Sequence, residues 1–502
     1  MKKYPATFLA LAFLLFVAAC KKDEVEPTDP VATGPNLIVY GLSTSNELVR
    51  FNANAPQTAL SKTAISGLGS GERLLSIDFR PATGELYAVS SESKLYIVNP
   101  STAATRAVSM TAFTPAVSGS AVGIDFNPTV DRLRLVTSSG QNLRLNPETG
   151  AVAAVDGNVA TSNAISGIAY SNSKAGASST VLYDLDATTG KLFRQDPPNN
   201  GTLVEVGSLG ITFSGQAAFD ISFDNKAALV AAKVGTENAF YMLDVNTGKA
   251  TKIGVTATQL ADIAIPTDPV AYALDNAAGS LLIFNPDMPA TPVSKSITGL
   301  MMGETLLGID FRPLNGQLYG LGSSSRLYTL NLSSGAATAV GMGSFSTMLD
   351  GTEFGFDFNP TVDKIRVVSN TGQNLRLNPV DGTLTAADGA LNPGAPAISS
   401  AAYTNSFAGA TTTALFVIDH TTDKLYLQNP PNNGTLTEVG ALGIDITNMN
   451  GFDIGSTRQK AYLIATVGGA TKVYTVNTTT GAATAGPAFP STVSGFSIGL
   501  GF

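Results

Sequence analysis

Short apolar runs alternating with polar positions, separated by Gly, Asn, Asp and Pro, fill the chain from about residue 36 onward. This is the signature of half-buried strands joined by tight turns. No segment sustains a 3.6-residue apolar period, so helix is expected to be nearly absent. One strand pattern recurs, a small or apolar residue, an apolar residue, Asp, then an aromatic or apolar residue. In the first half it is Ser76-Ile77-Asp78-Phe79, Gly123-Ile124-Asp125-Phe126, Gly167-Ile168-Ala169-Tyr170, Phe219-Asp220-Ile221 and Ala261-Asp262-Ile263. The spacing of 42 to 51 residues is that of a four-stranded propeller blade. Three further strand-like runs follow each full marker, as in Glu85 to Ser90, Lys94 to Asn99 and Ala104 to Ser109. Many are joined by an Asx-x-x-Thr/Ser-Gly turn such as Asn146 to Gly150 or Asn477 to Gly481, in which the Asx side chain accepts a turn N–H and Gly takes the left-handed position.

The whole arrangement occurs twice. Asp78 and Asp310 lie 232 residues apart, as do Asp125 and Asp357, and Gln195 to Gly207 returns at Gln428 to Gly440. Within each copy the first three strands, Leu37 to Leu42, Glu47 to Asn52 and Thr58 to Thr63, lack a marker, while the last, Leu260 to Ile265, is a marker with nothing after it. Joined, they make one blade from both ends. The expected architecture is all-β, with two tandem β-propellers over 36–266 and 267–502. Each has five four-stranded blades and closes by pairing its N- and C-terminal strands, which removes exposed sheet edges. A single ten-bladed ring is the alternative.

The N-terminus reads as a leader. Lys2 and Lys3 precede an apolar run, Phe8 to Ala19, too short to span a bilayer and ending in small residues. Val17-Ala18-Ala19-Cys20 resembles the bacterial lipobox, and Cys20 is the only cysteine. Residues 1–19 are therefore expected to be a signal peptide, with 20–35 a lipidated cysteine and an extended tether rich in Glu, Asp, Pro and Thr. A lipid anchor would hold the protein to a bacterial membrane, in the outer membrane and facing the cell surface or periplasm. Lys21 to Glu24 resembles the export signal of surface lipoproteins; a merely solvated linker is the other reading. The net charge of −8 is a poor match for nucleic acid, and loss of Lys2 and Lys3 makes it more acidic. Only 14% of residues are charged, against roughly 25% in an average soluble protein, so Ser, Thr, Asn and Gly must cover the surface.

Little conventional catalytic chemistry is present. The one histidine, His420, corresponds to Ala187 in the first copy, and there is no phosphate-binding Gly-Lys loop, dinucleotide fingerprint or complete Ca²⁺ loop. Asp184-x-Asp186 begins like a Ca²⁺ loop, but Asp184 matches Val417, and it reads as a turn. Two constellations remain. The marker aspartates Asp78, Asp125, Asp220 and Asp262, with Asp310, Asp357 and Asp453 in the second copy, would surround each axial channel. They would bind a divalent cation or orient a hydrolytic water, or else accept backbone N–H groups and set blade spacing. Ala169, Ala402 and Ser497 stand where the ring lacks Asp.

The second constellation is DFNPTVDRLRL with GQNLRLNP. Strand alternation places Asp125, Arg134 and Arg144 in one polar stripe, repeated as Asp357, Arg366 and Arg376. Two arginines beside one carboxylate leave a spare charge to clamp a carboxylate, sulfate or sugar acid. Alternatively they form an inter-blade ion-pair network in which Asp131 or another carboxylate balances the second Arg. Trp is absent, and Tyr87, Tyr96, Tyr319 and Tyr328 sit inside strands and read as core. The PPNNG segments at Pro197 to Gly201 and Pro430 to Gly434 read first as tight turns, with a binding loop, suggested by their near identity in the two copies, as the other reading.

The blocks GIDFRP, DFNPTVDRLRL and GQNLRLNP, present in both copies with small variations such as Lys364 for Arg132 and Ile365 for Leu133, resemble a bacterial family of domains of unknown function, number 4394 in its series. The resemblance covers nearly everything after residue 36. It implies a propeller-like all-β fold in secreted or surface proteins and brings no catalytic residues. The functional expectation is a lipid-anchored, non-catalytic binding or scaffolding module for a glycan, an anionic small molecule or a protein. A metal-assisted hydrolase or lactonase-like enzyme using the channel aspartates is the alternative.

Overall fold

A computed structural model describes residues 1–3, 32–160, 164–213, 215–275 and 277–502. The leader beyond Lys3, Cys20 and most of the tether lie outside the described residues. Among those described, no helix is long and apolar enough to cross a membrane.

The alternating runs form ten four-stranded antiparallel sheets, five in each copy. In the first copy, blade 1 joins Leu260–Ala264 to Ile38–Ser43, followed by Glu47–Asn52 and Ala59–Ala64. Blade 2 runs from Leu74–Phe79 to Thr105–Ala107, blade 3 from Val122–Asn127 to Val152–Val155, blade 4 from Ile165–Tyr170 to Leu203–Ser208, and blade 5 from Ala218–Ile221 to Ala250–Val255. The second copy repeats this with inner strands Phe496–Ile498, Leu306–Arg312, Phe354–Asn359, Ile398–Tyr403 and Asn450–Ile454. Each innermost strand packs on the next, and the fifth packs back on the first within the same copy. The chain therefore forms two five-bladed rings, not one of ten blades. Among the described residues no strand of one sheet pairs with a strand of another, although single bridges such as Ser66–Ala104 and Thr298–Ala336 tie a connecting segment to the next blade, so each ring closes mainly by packing between open sheets.

That packing follows from the sequence. Where a phenylalanine follows the marker Asp, it meets a tyrosine of the preceding blade edge to face, as in Tyr87–Phe126 and Tyr319–Phe358, with ring centroids 5.2 Å apart in both. Tyr40–Phe79 and Tyr272–Phe311 repeat the contact, and the geometry suits the positive ring edge against a negative face. Tyr87, Tyr96, Tyr319 and Tyr328 are all buried.

The two rings meet through turns that follow the GIDFRP strands. Arg80, fully buried, pairs with both oxygens of Asp131, reaches Glu148 at 3.1 Å and donates to Gly316 O of the second ring at 3.3 Å. Tyr272 Oη donates to Ala82 O, and Gly501 N to Thr83 O. Gly84 has φ +76°, and any Cβ there would overlap the Phe502 ring, so this junction requires glycine. Removing one partner from a buried ion pair strands the other. Arg80→Ala is therefore expected to cost about 3–5 kcal/mol in chemical denaturation. Arg312→Ala, whose partner Asp363 is one-third exposed, is expected to cost less than half of that.

Candidate functional site

The marker aspartates act as staples between blades. Asp78 Oδ2 accepts Phe126 N at 2.7 Å, Asp310 Oδ2 accepts Phe358 N at 2.8 Å, and Asp357 Oδ1 accepts Tyr403 N at 3.0 Å. Asp220 Oδ2 receives Ile265 N at 2.5 Å and Asp453 Oδ2 receives Ile498 N at 2.7 Å. In every case the donor follows the marker position of another inner strand.

This rule corrects one assignment. Ile265 and Ile498 are equivalent acceptors' partners, so Ser497 matches Ala264, and Asp262 matches Gly495. Asp262 thus lies one layer away from the ring, where it accepts Ser76 Oγ and Ile77 N. The second copy has Gly308 and Gly495 in place of Ser76 and Asp262; a Cβ built on Gly495 would sit 3.0 Å from Gly308 Cα. The acid could not be accommodated there without shifting the backbone.

Asp78, Asp125 and Asp220 still bring one oxygen each within 4.8 Å of the others, as do Asp310, Asp357 and Asp453. Burial, then repulsion among the acids, drives Asp78, Asp125, Asp310 and Asp357 well above the carboxylate range. Burial moves Asp220 and Asp453 to about 7 and Asp262 to about 8, against their backbone hydrogen bonds. Burial and mutual repulsion thus favour protonated over charged acids in these clusters near neutrality. Three hard oxygens are also the donor type a Ca²⁺ ion takes, though such an ion requires six to eight. With the acids protonated, millimolar Ca²⁺ is expected to leave the melting temperature unchanged. A rise of several degrees, abolished by Asp357→Asn, would assign the clusters to a cation.

The stripe has the anticipated register. Asp125 faces Arg134, which faces Arg144, and Asp357, Arg366 and Arg376 repeat it. The carboxylate that holds the arginines is a different one. Arg134 Nη1 meets Asp156 Oδ2 at 2.7 Å, and Arg144 grips both oxygens of Asp156 at 2.8 Å. In the second copy Asp388 takes Arg366 at 2.7 Å and Arg376 at 2.7 and 2.9 Å. Burial pushes the Asp388 carboxyl up, but hydrogen bonds and charge from the two arginines outweigh it and hold it below the usual range. Asp131, a possible balancing acid for this stripe, instead serves Arg80.

The PPNNG turns join the same constellation. Each contains a short 3-10 turn, Pro198–Asn200 or Pro431–Asn433. Asn199 Oδ1 accepts Arg134 Nη2 at 2.7 Å, and Asn432 Oδ1 accepts Arg366 Nη2 at 2.8 Å. Asn142 and Asn374 bridge the inner arginine to the turn carbonyls of Pro198 and Pro431. The inner arginines are buried and enclosed by acceptors, whereas the outer ones are about 30% exposed.

In the second propeller this arrangement floors a cleft of about 250 Å³. Lys364, Arg366, Arg376, Tyr403, Pro430 and Asn432 line it, with exposed Val362 at its edge. Asp156, Asp388, Asn199 and Asn432 carry roles that the arginine pattern alone did not assign. Their available signal was the repeated Val/Ala-Asp-Gly after each outer strand, at Asp156 and Asp388, together with the identical PPNNG turns. Asp184 is also corrected: it lies inside the strand Leu182–Asp186, not in a turn. It is fully buried, neither oxygen has a hydrogen-bond partner among the described residues, and burial pushes it to about 8 despite Arg134 nearby.

With the stripe, turn and axial acids located, the family match can be placed on the molecule. The model of a domain of unknown function, DUF4394, matches residues 47–264 and 280–498, one propeller each. The chain belongs to this family. No curated protein matches it. Among solved structures, similarity is found to the extracellular domain of a putative one-component system from B. thetaiotaomicron. That match has 10% identity and a TM-score of 0.26, covering 91% of this chain and 65% of that one. The Dos1 propeller matches at 13% identity and a TM-score of 0.26, over 64% of this chain and 82% of that one. At such TM-scores the two structures add nothing to the fold established by strand pairing.

Proposed function

We propose that the chain is a non-catalytic ligand-binding module, held at the outside of a bacterial cell by a lipid on Cys20, and that its binding surface is the cleft between blades 3 and 4 of the second propeller. One observation carries this reading. Three repeated motifs, DFNPTVDKIRV, GQNLRLNP and PPNNG, converge on that cleft, and hydrogen bonds from Arg366 to Asn432 and from Asn374 to Pro431 O fix its floor. A cleft with a rigid polar floor and a partly exposed guanidinium is prepared to orient a ligand.

The hydrolase alternative is less well supported. Its acids are 1–6% exposed, and the space at the axial mouth of the second ring is about 10 Å³, enough for roughly one water.

The test is a binding screen of the intact protein and Val362→Trp against a panel of glycans, small anions and peptides. Val362 is exposed, so tryptophan there would fill the cleft mouth with little effect on stability. At least one ligand is expected to bind wild type and to lose on the order of tenfold or more in affinity with the variant. An empty panel, or ligands indifferent to Val362→Trp, would overturn the reading. Membrane attachment is tested separately by Cys20→Ser, which is expected to release the protein from the membrane fraction.

A further inference from the structure

We infer that the ligand taken by this cleft carries a carboxylate or sulfate group, bound between Lys364 and the outer edge of Arg376, and that the second propeller binds it more tightly than the first. The inference rests on the cleft being a binding site and adds the chemical class of its ligand.

Charge in the cleft does not balance. Three cations line it, Lys364, Arg366 and Arg376, and Asp388 is the one acid paired with them among the described residues. Arg366 and Arg376 both lean on that single carboxylate. Arg366 is buried and its donors are directed to Asp388, Asn374, Asn432 and Tyr403, so it is unsuited to receive a ligand. Arg376 uses Nε and Nη2 on Asp388, which leaves Nη1 without a partner among the described residues, on a side chain 29% exposed. Among the described residues the Lys364 ammonium bonds only neutral oxygens, Asp363 O at 3.5 Å and Asn378 Oδ1 at 3.4 Å. Neighbouring acids are already engaged. The Asp363 carboxylate holds Arg312 in a two-point pair, and Asp381 accepts from Thr383. A planar guanidinium edge beside a mobile ammonium is the donor set that a carboxylate or sulfate completes.

The first copy provides an internal control. Its corresponding cations are Arg132, Arg134 and Arg144, but Glu148 occupies the place of Val380. Glu148 is bonded to Arg80 and lies close enough to Arg132 to feel its charge. An acid is thus built in where the second propeller has an exposed valine. A free anion would meet more repulsion and a less available cation there.

The test uses calorimetric titration of the intact protein with four probes: inorganic sulfate, monomeric galacturonate, an oligogalacturonate, and the same oligomer with its carboxyls methyl-esterified. The acid oligomer is expected to bind, the ester to bind on the order of tenfold more weakly or not at all, and sulfate to compete with the acid form. Lys364→Ala and Arg376→Gln are expected to weaken the acid form on the order of tenfold, while Arg132→Ala and Arg144→Gln change it less than threefold. Added salt should weaken binding, since the contacts are partly exposed. Equal binding of acid and ester, both lost with Val362→Trp, would overturn the anion inference and leave the cleft as the binding site. Binding of neither acid oligomer nor sulfate would also overturn it, and an empty broad panel would remove the proposed function too. Tighter binding of the oligomer than of monomeric galacturonate or sulfate would identify a glycan chain as the source, and equal affinities a free small anion.

Discussion

Arg366→Ala is expected to lower the stability of the second propeller by about 3–5 kcal/mol, the largest loss from any single stripe residue. The guanidinium is buried, and its removal leaves Asp388 with one cation while Asn374 and Asn432 lose the donor that ties strand to turn. An unpaired buried acceptor costs its full desolvation, which exceeds the net value of the bond it replaced. Arg376→Ala removes a partly exposed partner of the same carboxylate and is expected to cost about 1 kcal/mol or less. Urea denaturation of the two variants checks the difference. Each ring closes on itself, so the Arg366 change should move the transition of one ring, and Arg134→Ala that of the other. Equal losses for Arg366→Ala and Arg376→Ala would show that the buried network does not organise the fold.

The second large effect concerns pH. A carboxyl whose folded pKa is raised keeps its proton while the unfolded chain ionises. The folded state then binds more protons, and stability falls as pH rises from the unfolded value near 4 to the folded one. For Asp220 and Asp453 that window ends at about 7, and for Asp184 and Asp262 at about 8. Melting temperature is therefore expected to decline between about pH 4 and pH 8, the reverse of a protein stabilised by salt-bridged carboxylates. Asp184 isolates the effect, because it is buried without partners and the second copy places Val417 there. Asp184→Val is expected to stabilise the first propeller by on the order of 4 kcal/mol at pH 7 and to flatten part of the pH slope. Melting curves of wild type and variant from pH 4 to 8.5 measure both. A variant less stable than wild type at pH 7, or a wild-type profile that rises through this range, would contradict the assigned protonation.

The blades were legible because their cause is local. Alternation and turn residues act over a few positions, and the duplication exposed the marker spacing, including the closing strand of each ring. The site was legible only in part. Register placed Asp125, Arg134 and Arg144 on one face, but which acid meets which guanidinium depends on strand ends and on the neighbouring blade. Asp156 reaches back from the outer strand, and Asn199 arrives from blade 4. Asp262 and Ser497 were misaligned because the closing strand is short and its layer is set by the staple to the neighbouring blade, a contact between segments far apart in sequence. Asp184 read as a turn residue because an Asp-x-Asp pair favours turns; burial on both faces of blade 4 overrides that tendency.

The cleft of the second propeller is expected to bind its ligand without reacting with it. Equilibrium dialysis of the intact protein against oligogalacturonate, followed by mass analysis of the recovered oligomer, tests it most directly. Retention that depends on Lys364 and Arg376 is expected, with the oligomer recovered at its original length. Recovery of shortened oligomer, produced at a rate lost in Asp357→Asn while that variant remains folded, would contradict it.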